Sequence, residues 1–375
     1  MNHAITPTAR SVRGRTPAPA TLGHTDPADL DELLRAVDRA RAIGGADGTG
    51  NPVAGYLALA SEVAQLTPHP GNGSTRTRWT VLASLAALDV TAARVMEPHL
   101  DALSVLAEAG ITEGDLDAVA VTDRSTWGVY AAEGKDVAVT AIQTPQGWRL
   151  QGVKPWCSLA GELSHGLITA HTGPGTRRLF AVDLRTQAVA RQDGAWIARG
   201  LPHVSSGPIT LTDAPAVPIG EDNWYLRRAG FAWGGAGVAA CWWGGAVGLA
   251  RRLVDRVRGP ASPDTLTALQ LGAVDLLLDC ARSTLIAAAD QIDSSGGDVV
   301  LVERTRGTVV QAAEQVLHRM GHALGPTPLA FDDWYAGQYA GLELYIRQHH
   351  GEKDLARLGE LVLDTESVRS GAYPW

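Results

Sequence analysis

Trp148-Arg149-Leu150-Gln151-Gly152-Val153-Lys154-Pro155-Trp156-Cys157-Ser158-Leu159-Ala160 is the stretch from which the fold is read. Trp148-Arg149-Leu150 has the composition of a strand and Gly152 permits a tight turn. Trp156-Cys157-Ser158 then sets a flat ring and a hydroxyl at the start of the next extended run. A ring beside a hydroxyl can hold a flavin, and a packed Trp between two strands explains the same residues. The surroundings carry the weight: a small strand-rich segment lies between two helical blocks, with Gln315 and Gly321 far downstream.

Upstream, from Pro27 to about Gly110, the apolar spacing is helical. Asp26 or Asp29 is placed to cap a helix through Leu30, Leu33, Leu34, Val37 and Ala40, the spacing of one buried face. Gly44 to Gly50 breaks it and reads as a linker, because no Lys-Ser/Thr follows and no strand leads in, as a phosphate loop requires. A second helix runs through Tyr56, Leu57, Leu59, Ala60 and Val63 to the Pro68-His69-Pro70-Gly71 stop. A longer one extends from Arg78-Trp79 to Glu97-Pro98, and another from His99 to Ala109. Residues 1–26, rich in Thr, Pro, Ala and Arg without an apolar run, read as a disordered leader, and 27–115 as an α-helical domain.

Over 116–222 the period changes to alternation. Val137–Ile142, Trp148–Leu150, Gly166–Ala170, Arg178–Leu184 and Pro208–Leu211 are short strand-like runs between Gly, Pro and Asp turns, which implies a small barrel or sandwich. Over 223–375 helix returns. Ala229 to Ala250 carries no charge, and a bilayer span needs about 20 apolar residues. Its seven glycines favour instead a core helix approached closely by its neighbours. Further helices are expected over Leu266–Ile292, Val300–Met320 and Asp333–Leu363. The predicted class is α+β: helical bundle, small β domain, helical bundle.

The chain has 375 residues, 45% of them hydrophobic, enough for a large core in two or three domains. A net charge of −8 without a basic face argues against nucleic acid as a partner. Cys157, Cys241 and Cys280 are odd in number and widely spaced, which fits neither a disulfide framework nor a metal cluster and points to the cytoplasm.

The order of helices, β domain and helices, with these motifs, resembles the acyl-CoA dehydrogenase family over roughly Asp29 to Leu363. The resemblance implies an FAD cofactor whose ring meets a Trp followed two residues later by Ser or Thr, here Trp156 and Ser158, with the hydroxyl near flavin N5. Trp127-Gly128-Val129-Tyr130-Ala131-Ala132-Glu133-Gly134 resembles the segment that holds the pyrimidine side, which places Trp127 and Val129 among the cofactor contacts. Arg258 is the nearest match to the Arg that reaches the diphosphate and adenine end. Gln315 and Gly321 match a Gln followed by a Gly-rich turn, with His318-Arg319 where a Gly pair is usual. Arg319 brings a guanidinium suited to a diphosphate. Since the family shares its FAD site between subunits, a homodimer or homotetramer is implied. The implied reaction is oxidation of an acyl thioester, on coenzyme A or a carrier protein, at the alpha and beta carbons. A Glu takes the proton and flavin N5 the hydride; the electron acceptor is left open.

The family's Glu falls here at Ala340 or Gly341, and the alternative Asp-x-Glu-Arg element on the long core helix reads Trp233-Gly234-Gly235-Ala236. Glu343 is the nearest remaining carboxylate and His349 a rival proton carrier, with His350 beside it; all three also suit a polar helix surface. Two alternatives follow: a flavin-dependent monooxygenase on the same scaffold, needing no alpha-proton base, or a non-catalytic binding descendant.

Overall fold

The computed structural model describes residues 18–23, 29–46, 51–192, 194, 196–258 and 264–373. Most of the leader, the Asp26 cap and the Asp47–Gly50 part of the linker lie outside the described residues. The chain opens with helices α1 (Leu30–Ala46), α2 (Val53–Leu57), α3 (Ala60–Leu66), α4 (Thr75–Leu88) and α5 (Val90–Glu108), followed by a 3-10 helix over Glu113–Val119. Leu30, Leu33, Leu34 and Val37 bury the expected face of α1. The long helix expected to run from Arg78 to Pro98 is divided instead at Asp89. There the backbone is extended (φ −159°), and the carboxylate caps α5 by accepting from Thr91 N–H at 2.7 Å and from Tyr56 O–H at 2.7 Å. Pro98, expected to end a helix, sits inside α5.

Among the described residues seven strands follow: β1 (Trp127–Tyr130), β2 (Val139–Thr144), β3 (Gly147–Lys154), β4 (His165–Gly173), β5 (Thr176–Asp183), β6 (Val189–Arg191) and β7 (Ile209–Ile219). The order β4-β2-β3-β7-β5 returns to β4 and closes a barrel; β1 joins β4 in parallel and β6 joins β7. Alternation decides which face each side chain serves. Ile168, Phe180 and Val182 belong to the main core, while Leu167, Leu179 and Ala181 bury the other face against Val105, Leu106 and Leu116. Gly152 does not make a turn. It lies within β3 at a β-bulge with φ +127°, where a Cβ would collide with the Ala138 carbonyl. Trp156-Cys157-Ser158 is likewise a tight turn and not an extended run, with Trp156 and Leu159 both left-handed (φ 59° and 58°).

The second helical layer is α6 (Trp224–Arg227), α7 (Ala229–Val257), α8 (Thr265–Ser295), α9 (Val299–Leu324), α10 (Pro326–Phe331), α11 (Asp333–Tyr345), α12 (Glu352–Leu363) and α13 (Glu366–Arg369). The glycine-rich α7 is a core helix. A Cβ on Gly244 would overlap the Ala83 carbonyl of α4, so the two backbones meet at a distance that only Gly permits. No helix among the described residues is long and apolar enough to cross a membrane. The single helix expected over Asp333–Leu363 is broken at His349-His350-Gly351, where Gly351 takes φ 60° and ψ −121°. The Gly-rich turn expected at Gly321 is displaced: α9 continues through it and stops at Gly325 (φ 67°), which lies just beyond Leu324.

Candidate active site

A cavity of about 230 Å³ lies where α5, β1, the Trp156–Ser158 turn and α7 meet, lined by Arg94, Glu97, Asp101, Tyr130, Ser158 and Gln348 among others. Three of these come from one face of α5. Positions 94, 97 and 101 fall at i, i+3 and i+7, so the helix stacks a guanidinium and two carboxylates along a single stripe. Glu108 extends it, taking Arg228 Nη1 at 2.7 Å, while Arg228 Nη2 approaches Asp101 at 3.6 Å. The Gly-rich start of α7 admits this charge. A Cβ on Gly234 would lie only 2.9 Å from Asp101 Oδ1, so carboxylates from α5 fill the space beside the glycines that replace the Asp-x-Glu-Arg element.

Arg94 Nη2 donates to Ser158 Oγ at 3.0 Å, and Ser158 Oγ is 2.8 Å from Ser206 Oγ, which in turn donates to the Val204 carbonyl at 3.0 Å. Ser206 has spent its one proton, so Ser158 donates to Ser206 and keeps an acceptor lone pair. Tyr130 O–H holds the Ser158 carbonyl at 2.9 Å. The turn is tied down further by Cys157 N–H to Gly207 O (3.0 Å) and Leu159 N–H to Ser205 O (2.7 Å). Two residues before Ser158, the Trp156 indole stands 64% exposed on a left-handed backbone. Such a conformation costs a non-glycine residue roughly 1–2 kcal/mol. The ring points to the surface and is not among the residues that line the cavity.

Glu97 is the most perturbed carboxyl of the cavity. Burial pushes it up to about 7, opposed by Arg94 at 3.6 Å. Asp101 is raised by burial too, against the pull of Arg228 and Arg78. Cys157 is buried with its thiol pushed up to about 12, which keeps it protonated and inert.

The residues singled out from the sequence separate into groups. Val129 and Ser158 line the cavity. Trp127 does not: it is buried, packed on His165 with ring centroids 4.8 Å apart, and it walls a different cavity. Glu343 and His349 do not line the cavity either. Glu343 is exposed on α11, and His349 is buried edge-on to Trp242, its Nδ1 accepting the Gly351 N–H at 3.1 Å to stabilise the helix break. Arg258 ends α7, about 30 Å along that helix from Val238 of the cavity at about 1.5 Å per residue. Gln315 is exposed on α9 and Gly321 lies near its end. Arg319 donates to Gln270 Oε1 at 3.3 Å, and Arg256 ties the ends of α7 and α9 together through Ala323 O. This second group therefore gathers at the opposite end of the bundle. Arg94, Glu97, Asp101 and Ser206 escaped the sequence reading. A charged stripe on a helix ordinarily faces water, and the signal that distinguished it was the run of glycines on α7 that it faces.

No protein-family model matches the chain, and no curated protein matches it. Solved structures do. Butyryl-CoA dehydrogenase from Megasphaera elsdenii superposes with a TM-score of 0.74 at 15% identity, covering 91% of this chain and 100% of that one. KijD3, in complex with FMN and dTDP-3-amino-2,3,6-trideoxy-4-keto-3-methyl-D-glucose, gives 0.73 at 18% identity over 88% and 91%. The dibenzothiophene monooxygenase TdsC from Paenibacillus sp. A11-2 gives 0.66 at 14% over 89% and 97%. With its closed barrel set between two helical layers and these likenesses along nearly its whole length, the chain has the acyl-CoA dehydrogenase fold.

Proposed function

We propose that the chain is a flavin-dependent oxidoreductase that uses reduced flavin and oxygen on a polar substrate, in preference to oxidising an acyl thioester. The observation that carries this reading is the cavity wall: Arg94, Glu97 and Asp101 line it, where an acyl tail would want apolar walls. Two further features agree. The place of the dehydrogenase Glu is closed, because a Cβ on Gly341 would lie 2.6 Å from Val90 Cγ2 and the Ala340 carbonyl packs directly on Gly200. Among the structural neighbours, KijD3 binds FMN with an amino sugar and TdsC is a monooxygenase.

The residues present fit a flavin. The open Trp156 indole would support the ring, and Ser158, left as an acceptor, suits an N–H of the reduced form. Bound flavin would supply hydride acceptance or, once reduced, reaction with oxygen. Glu97, poised near neutrality, gives or takes the substrate proton, while Arg94 fixes Ser158 and keeps negative charge beside it compensated. Acyl thioester oxidation retains one support, since Glu97 could serve as the missing base. The proposed form of the cofactor is FAD, whose adenine and diphosphate end would be met by Arg258, Gln315, Arg319 and Gly321 of a second copy. Leu266, Leu269 and Leu276, 73%, 55% and 69% exposed on α8 at helical spacing, offer the apolar face for a homodimer or homotetramer.

Oxygen uptake with supplied reduced flavin, compared with anaerobic exposure of the oxidised holoprotein to acyl-CoA thioesters, decides between the two chemistries. Substrate-stimulated oxygen consumption without anaerobic bleaching is expected. Anaerobic bleaching by a thioester would establish the dehydrogenase reading instead.

A further inference from the structure

A second and larger cavity, about 950 Å³, opens on the opposite face of α5. His99, Leu100, Leu103 and Leu106 line it, and at 100° per residue they point away from the stripe that carries Arg94, Glu97 and Asp101. Apolar side chains make up one part of its walls, with Leu57, Ala64, Leu103, Leu116 and the ring of Trp127 prominent. Its mouth is formed by the exposed Thr112, Glu113, Asp123 and Arg124. Its floor holds Arg78 and His99, only 5% and 3% exposed.

The floor is incompletely satisfied. Arg78 Nη1 donates to the Pro68 carbonyl at 3.2 Å, and among the described residues no carboxylate lies within ion-pair distance of its guanidinium. Asp101 and Glu97 act on it only at longer range, from across α5. Among the described residues, His99 Nδ1 is buried with no hydrogen-bond partner. His69, also in the lining, has Nδ1 3.0 Å from Ser104 Oγ. Burial and the neighbouring Arg78 lower both imidazoles, His99 to about 4, so near neutrality they are uncharged and the floor carries one positive charge. The guanidinium, its charge partly offset by Asp101 and Glu97, still has no directly bonded anion among the described residues, and a ligand carboxylate would supply one.

We propose that this cavity binds a small-molecule monocarboxylate with an apolar body, the carboxylate on Arg78 and the body along Leu100, Leu103 and Trp127. One fixed charge at the floor matches one anionic head, and a guanidinium fork takes a carboxylate in two parallel bonds. A space of this size between partly apolar walls suits a molecule of ligand dimensions. The inference stands apart from the flavin reading, since it uses none of the residues around Ser158.

Calorimetric titration of the full chain with decanoate tests it, using decylamine and 1-decanol as probes of equal tail. Saturable binding of decanoate is expected, tighter than that of decylamine by roughly tenfold or more. Arg78→Gln is expected to weaken decanoate by a similar factor while leaving 1-decanol unchanged, and Leu103→Trp, which sets a bulky ring where the body lies, to weaken both. Should Arg78→Gln fail to fold, the decanoate-to-decylamine preference of the wild type and the Leu103→Trp result still decide. Absence of saturable decanoate binding, equal affinity for decanoate and decylamine, or unchanged binding in Leu103→Trp overturns the proposal.

Discussion

Glu97→Gln isolates the carboxyl on which the proton chemistry rests, because Gln keeps its shape and removes only its titration. Burial raises this group in the folded chain from 4.5 to about 7, with Arg94 pulling the other way at 3.6 Å. The folded protein thus holds the proton more tightly than the unfolded chain. Relative to the Gln variant, the contribution of Glu97 to stability is full below pH 4.5 and is lost as pH rises through about 7. At about 1.4 kcal/mol per pH unit, that interval corresponds to roughly 3 kcal/mol. Urea denaturation of both proteins at about pH 5 and about pH 8, at fixed ionic strength, measures it. The Gln variant is expected to gain roughly 3 kcal/mol on the wild type between the two conditions. A difference between the two proteins that is the same at both pH values would refute a perturbed Glu97.

Trp156→Ala removes a ring that is 64% exposed and keeps the Cβ, so stability should change by no more than roughly 0.5 kcal/mol, while flavin affinity falls roughly tenfold in a fluorescence titration. Unchanged affinity would exclude the indole as the flavin support. Gly244→Ala places a methyl against the Ala83 carbonyl where α4 and α7 cross, and is expected to cost roughly 1–3 kcal/mol or more, read as a lower urea midpoint. Leu276→Glu sets a charge on the exposed α8 face and should reduce the mass seen by light scattering while leaving the helical signal intact. An unchanged mass would move the subunit interface elsewhere.

The layer order was legible because it depends on period. Leu30, Leu33, Leu34 and Val37 at helical spacing and the alternation of Leu167, Ile168, Leu179 and Phe180 each report a local geometry that survives in the fold. Breaks were less legible. Asp89 ends one helix and caps the next through bonds to Thr91 and to Tyr56, which lies 33 residues away, and only the nearer partner is visible in the local sequence. The pair Trp156 and Ser158 could be picked out by residue type, but the left-handed turn that exposes one ring and buries one hydroxyl comes from backbone bonds to Ser205 and Gly207. Glu343 attracted attention as a carboxylate near an expected sequence position. Glu97, on another helix some 250 residues earlier, is the one that the fold turns into a cavity. Its charge stripe is indistinguishable from a solvated helix face until the glycines of α7 are known to lie opposite.

The most direct measurement is an equilibrium titration of the purified chain with FAD and with FMN, followed by the visible absorbance and fluorescence of the flavin. Saturation at about one flavin per chain, tighter for FAD and weakened in Ser158→Ala, is the expected result. Failure of either flavin to bind saturably would contradict the flavin-dependent function and leave the acyl-CoA dehydrogenase fold as a scaffold for something else.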